Sequence, residues 1–235
     1  MSALDQVVAK LRKALGDDLV SVVLYGSAAV GDREEKFSDY NLLCVLRQIT
    51  PDQLRASETV FRWWREQGNP SPLLLTAHEM RTSTDCFAIE FHDLRDHHRI
   101  LHGEDLVSGL EIDDSFYRAQ VEHDLRARLL RLRQKASGIL SDNEILLRLL
   151  MDSVSTFCVL IRHSLLLHGF EAPGRKRDVV ARAQEHFGID PEPFVTLLNL
   201  REGKGNPKAT EPEKLLAAYM KQIGEVIDRV DVLAK

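Results

Sequence analysis

The sequence predicts an α+β fold: a small mixed sheet with flanking helices over residues 1–112, followed by an all-α helical bundle over residues 113–235. Three observations lead there. Up to about residue 112, short apolar runs alternate with helical patterns, and beyond it only helical periodicity remains. The charge divides at the same place, with 12 basic and 18 acidic side chains in residues 1–112 against 19 and 18 in residues 113–235. The 235 residues suit two domains of about 100–130 residues each.

The elements follow in order. Leu4, Val7, Val8, Leu11 and Leu15 make one helical face, which Gly16 ends. Leu19 to Tyr25 is β-branched and apolar and reads as a buried strand. Gly26-Ser27 makes a tight turn, Ala28 to Gly31 a short helix, and Asp32 to Phe37 a polar loop. Ser38 to Leu46 is a second strand. Thr50 caps a helix with Pro51 at its first position, carrying Leu54, Glu58, Phe61 and Trp64 at helical spacing until Gly68. One ring of Trp63-Trp64 belongs in the core and the other nearer solvent. Pro72 to Thr76 is a third strand. In Cys86 to Leu94, Phe87, Ile89 and Phe91 alternate with Ala88, Glu90 and His92, which predicts a half-buried strand, and Arg99 to Leu101 adds an edge strand.

The second half predicts a bundle. Tyr117, Val121, Leu125, Leu129, Leu132, Ala136 and Ile139 form an apolar stripe, and Ser141 with Glu144 has capping-box spacing for the next helix. That helix is apolar nearly all round and predicts the buried centre, ending at Gly169. Shorter helices cover Arg177 to Phe187 and Asp190-Pro191 to about Leu200. A polar loop over 202–211 leads to a last apolar-faced helix, which could dock in cis or pair two copies as a homodimer.

Composition excludes several classes. A net charge of -5 argues against a grip on long nucleic acid, whose phosphates call for a basic surface. Cys44, Cys86 and Cys158 are odd in number, far apart and set among apolar neighbours, so they read as buried thiols of a reducing, cytoplasmic setting. The N-terminus lacks a basic-then-apolar leader pattern. The most apolar stretch, 145–168, is broken by Arg148, Asp152, Arg162 and His163 and does not predict a membrane span. His92, His97, His98 and His102 match no zinc spacing and read as surface or loop residues. Arg175-Lys176-Arg177, Arg201, Lys204 and Lys208 are the bundle's basic spots and read as solvated helix ends.

The informative segment is Val22-Val23-Leu24-Tyr25-Gly26-Ser27 with Phe37-Ser38-Asp39-Tyr40-Asn41. A strand ends in Gly-Ser, a loop follows, and a second strand opens on an acidic residue. Glycine lets backbone N–H groups approach a phosphate, and serine adds a hydroxyl donor. Residues 39 and 41 share one face of the strand, about 6–7 Å apart. Arg33 and Lys36 lie in the intervening loop and could meet phosphates.

This arrangement resembles the nucleotidyltransferase superfamily typified by DNA polymerase beta and kanamycin nucleotidyltransferase. The family pattern is Gly-Ser, about a dozen residues, Asp-x-Asp or Asp-x-Glu, and a later third carboxylate. Gly26, Ser27 and Asp39 match it, and the fused helical half resembles an acceptor-binding bundle. The resemblance implies Mg²⁺, a nucleoside triphosphate such as ATP as substrate, and an unidentified acceptor attacking the α-phosphorus as pyrophosphate leaves. It places the phosphates at Gly26, Ser27, Arg33 and Lys36, and catalysis and metal at Asp39, Asn41 and Glu90, with Asp93 the alternative third carboxylate. Asn41 departs from the pattern by putting a neutral amide where the family has a second carboxylate. Two readings follow: a transferase working with Asp39 and other carboxylates, or a nucleotide- or partner-binding protein that has kept the fold without the transfer.

Overall fold

A computed structural model describes residues 2–30 and 40–233. The chain divides into two compact units, 1–116 and 117–235.

The first unit is built on a four-stranded sheet of β1 (Leu19–Tyr25), β2 (Asn41–Leu46), β3 (Leu73–Thr76) and β4 (His98–Gly103), ordered β3-β2-β1-β4. β1 pairs antiparallel with both β2 and β4, and β2 pairs parallel with β3, so the sheet is mixed as the sequence predicts. Helix α1 (Ala3–Leu15) has a capping box at Ser2 and Asp5 and ends at Gly16. Helix α2 (Pro51–Glu66) starts at the Thr50 cap with Pro51 and carries the β2-to-β3 crossover. The pleat sorts side chains between two layers. Val22, Leu24, Leu42 and Cys44 meet Val7, Leu11 and the fully buried Trp64 on one face. Val23, Leu43 and Val45 meet Met80 of α3 (Ala77–Thr82) and Phe91 and Leu94 of α4 (Ala88–Asp96) on the other.

α4 corrects the sequence reading. The segment expected as a strand over 86–94 is a helix. Its buried residues are Ala88, Ile89, Phe91, His92 and Leu94, a single helical face, whereas Phe87, expected inside, is 47% exposed. As a helix the segment lays Phe91 and Leu94 over Val23, Leu43 and Val45 and so covers that face of the sheet. Cys86 is exposed rather than buried for the same reason, since it precedes the helix in a turn, while Cys44 and Cys158 are buried as expected.

The second unit holds α5 (Tyr117–Ala136), α6 (Asn143–Leu167), α7 (Lys176–Phe187), α8 (Glu192–Arg201) and α9 (Pro212–Asp231). α6 packs against the other four and is the expected centre. Its cap is Asp142 rather than Ser141: one carboxylate oxygen accepts from the N–H groups of Glu144 (3.1 Å) and Ile145 (3.0 Å), and its charge suits the positive end of the helix. Phe157 and Phe194 meet Tyr219 edge-on, at 5.6 and 5.0 Å, so α9 docks in cis on the bundle. No helix among the described residues is long and apolar enough to cross a membrane.

Candidate active site

The candidate site begins where β1 ends. Gly26 has φ +75°, a conformation that a side chain would strain. Its N–H donates to the His97 carbonyl (3.0 Å) and its carbonyl accepts from the Ala29 N–H (2.9 Å), which starts the 3₁₀ turn Ser27–Val30. A Cβ at Gly26 would lie 3.3 Å from the Asn41 side-chain nitrogen. The glycine therefore lets the backbone lie directly against the amide of Asn41. Antiparallel register explains the approach: Tyr25, the last residue of β1, stands opposite Asn41, the first of β2, and opposite His98 on its other side.

The pleat decides which way this corner faces. Tyr25 alternates with Val23 and Asn41 with Leu43, and both partners belong to the layer under α4. α4 carries Glu90 and Asp93 to the same corner. The Tyr25 phenol is pushed up to about 12, first by burial and then by the negative charges of Glu90 and Asp93. It is therefore a neutral hydroxyl at physiological pH, seated within the field of two carboxylates.

The structure thus brings Gly26 and Asn41 together beside Tyr25, with Glu90 on α4 near enough for its charge to act on the Tyr25 phenol. It adds Asp93 on an equal footing, because residues three apart on a helix share a side, where a strand would have separated them. Arg33, Lys36 and Asp39, and the side chain of Ser27, lie outside the described residues. Tyr25 itself was missed in the sequence reading, although its place beside Gly26 and opposite Asn41 is readable from the strand register that the Gly-Ser turn implies.

Among the described residues, no three His, Cys, Asp or Glu side chains converge closely enough to hold a metal ion. The donors the corner does offer, an amide oxygen and two carboxylates, are the hard oxygen ligands that Mg²⁺ takes. The donor chemistry fits; Asp39, two positions before Asn41 in the sequence, lies outside the described residues.

The histidines differ from expectation in part. His92 is buried on α4, its Nε2 2.6 Å from Asp114 Oδ1, while the Arg95 guanidinium donates to Nδ1 (2.9 Å). That pattern makes Nε2–H the donor to Asp114 and holds α4 to the chain that follows. In the bundle, Arg177 donates to Asn199 (2.9 Å) and Glu202 (2.8 Å), and Lys204 lies 2.8 Å from Glu202. Burial raises the Glu202 carboxyl, but Lys204 and Arg177 together hold it below the usual range. Arg201 donates to Ser155 (2.6 Å). Arg177, Arg201 and Lys204 are thus tied into the bundle rather than simply solvated.

No protein-family model matches the sequence, and no curated protein does. The structure is similar to crystallised spectinomycin adenyltransferase AAD(9) from Enterococcus faecialis, solved with ATP and spectinomycin. The TM-score is 0.63 at 14% identity, covering 97% of this chain and 98% of that one. The fold is therefore the nucleotidyltransferase fold with its helical region, as the Gly-Ser segment and the order of elements imply.

Proposed function

We propose that the protein transfers a nucleoside monophosphate from a nucleoside triphosphate to a hydroxyl or amine of a small molecule or protein. One observation carries the reading: on a fold similar to that of an adenyltransferase, the left-handed Gly26 turn lies against Asn41, within 3.3 Å at the Cβ position, at the strand corner that α4 supplies with Glu90 and Asp93. The N–H groups after Gly26, the Ser27 hydroxyl, Arg33 and Lys36 bind the phosphates. Asp39 and Asn41 hold Mg²⁺, with Glu90 completing the oxygen set. When bound, Mg²⁺ would neutralise the charge of the triphosphate. The acceptor's oxygen or nitrogen forms a bond to the α-phosphorus, the bond from that phosphorus to the pyrophosphate oxygen breaks, and pyrophosphate departs. Two carboxylates on α4 allow one to ligate while the other takes the acceptor's proton. Tyr25, neutral and half-buried, sits within the field of both.

Asn41 favours a second reading, a nucleotide-binding protein without transfer, because an amide brings no charge to a site that must offset a triphosphate. The test is pyrophosphate release from labelled triphosphates with Mg²⁺ or Mn²⁺ and an acceptor pool. Turnover by the native protein that is lost in Asp39→Ala and Glu90→Gln supports transfer. Nucleotide binding without turnover, with turnover gained in Asn41→Asp, supports the second reading. Nucleotide binding untouched by Gly26 and Asp39 substitutions overturns both.

A further inference from the structure

On the outer edge of the first unit, α1 and β4 enclose a groove of about 450 Å³ that plays no part in the proposed transfer. β4 is an edge strand, and none of the residues lining the groove belongs to β1 or β2. Leu4 and Val8, one helical turn apart on α1, form one apolar wall, and Leu101 of β4 packs in the same layer opposite them, whereas Ile100 borders the groove but packs on the other face of the sheet. Arg12, in the last turn of α1, and Arg99, near the start of β4, supply two guanidinium groups to the same cavity. Neither makes an ion pair among the described residues.

The remaining charge in the groove is Asp5, and it is already engaged. Its carboxylate accepts from the Ser2 N–H (2.9 Å) as part of the α1 capping box. Those hydrogen bonds with Ser2 come first in holding Asp5 below its usual range, while the field of Arg99 is a lesser cause. Two cations and one committed anion leave the cavity net positive. A guanidinium offers a planar fork of donors that matches carboxylate and phosphate oxygens, and a volume of this size suits a small ligand.

We propose that the α1–β4 groove binds a small amphipathic anion, a carboxylate or phosphate headgroup held by Arg12 and Arg99 with a short apolar body along Leu4, Val8 and Leu101. This inference does not rest on the transfer reading. Its ligand touches β4, whose preceding residue His97 holds the Gly26 N–H, but the groove and its chemistry stand without that link.

The test is calorimetric titration of the full chain with hexanoate and with hexyl phosphate, with hexanol and hexylammonium as controls. The expected result is saturable binding of at least one anion, weakened as salt is raised, with at least tenfold weaker binding of hexanol and hexylammonium. The comparison of the two anions tells a carboxylate ligand from a phosphate one. Binding should fall at least tenfold in Arg12→Met/Arg99→Met. It should fall severalfold in Arg99→Lys, which keeps the charge and loses the fork and so guards against a folding defect in the double variant. Absence of saturable anion binding, hexanol binding as tightly as hexanoate, or affinity unchanged in both variants would each overturn the proposal.

Discussion

Replacing Gly26 with alanine puts two costs on one residue, and they are separable. The first is conformational: at φ +75° an L side chain costs about 1–2 kcal/mol relative to glycine. The second is steric: the new Cβ arrives 3.3 Å from the Asn41 side-chain nitrogen, so the amide must yield by a few tenths of an ångström. The N–H bond to the His97 carbonyl is available to either residue and contributes nothing to the difference. The expected loss is therefore about 1–2 kcal/mol, a five- to thirtyfold fall in the folded-to-unfolded ratio. Urea denaturation measures it cleanly, because both tryptophans of the chain, Trp63 and Trp64, belong to the first unit and their fluorescence reports that unit alone. With a slope of about 1–3 kcal/mol per molar urea, the midpoint falls by roughly 0.3–2 M. Repeating the substitution in an Asn41→Ala background removes the steric part and keeps the conformational one, so most of the loss should persist. A loss under about 0.5 kcal/mol, or one that vanishes in that background, would refute the claim that Gly26 is required by its backbone geometry.

Three further outcomes follow from the packing and the charges. Trp64→Ala empties the fully buried site between α1, α2 and the sheet and should cost about 3–5 kcal/mol, seen as a lowered melting temperature of the first unit. Asp142→Ala removes the double cap of α6 and should cost about 0.5–2 kcal/mol in the helical unit, read by circular dichroism during thermal melting, with Asp142→Asn restoring most of it. Tyr25 is pushed from 10.0 up to about 12 by burial, Glu90 and Asp93, so its folded value lies above its unfolded one. Its contribution is complete below pH 10 and is lost as pH rises from 10 towards 12. Tyr25→Phe should flatten that decline by about 2–3 kcal/mol, and the slope that survives belongs to Cys44 and Tyr219, which burial also raises. An unchanged slope would mean that the Tyr25 hydroxyl is not held in the field of α4.

Most of the site's frame was legible because it depends on local chemistry. The Thr50-Pro51 start of α2, the Gly16 stop of α1 and the Gly-Ser exit from β1 each involve residues whose backbone preferences act within a few positions. The Asp142 cap escaped by one residue, since Ser141 also had an acidic residue three positions on, and only the geometry of the turn decides which side chain reaches the free N–H groups.

The misreading of α4 has a different cause, and it bears directly on the chemistry. Phe87, Ile89 and Phe91 satisfy a two-residue repeat, yet Ala88, Ile89, Phe91, His92 and Leu94 satisfy a helical one over a longer stretch. Local pattern cannot choose between them; tertiary packing does, because a helix here covers the sheet face of Val23, Leu43 and Val45 with Phe91 and Leu94. The consequence is not confined to secondary structure. On a strand, Glu90 and Asp93 would face opposite ways and only one could serve the site. On a helix three residues apart they act on Tyr25 together, as the displaced phenol records. In the proposed site, with an amide at position 41, α4 offers two carboxylates in place of one. If Asp93 makes good that missing charge, Asp93→Asn should impair Mg²⁺-dependent nucleotide binding about as much as Glu90→Gln, and Asn41→Asp should restore it in the Asp93→Asn background; binding by Asp93→Asn equal to that of the native protein would remove Asp93 from the site.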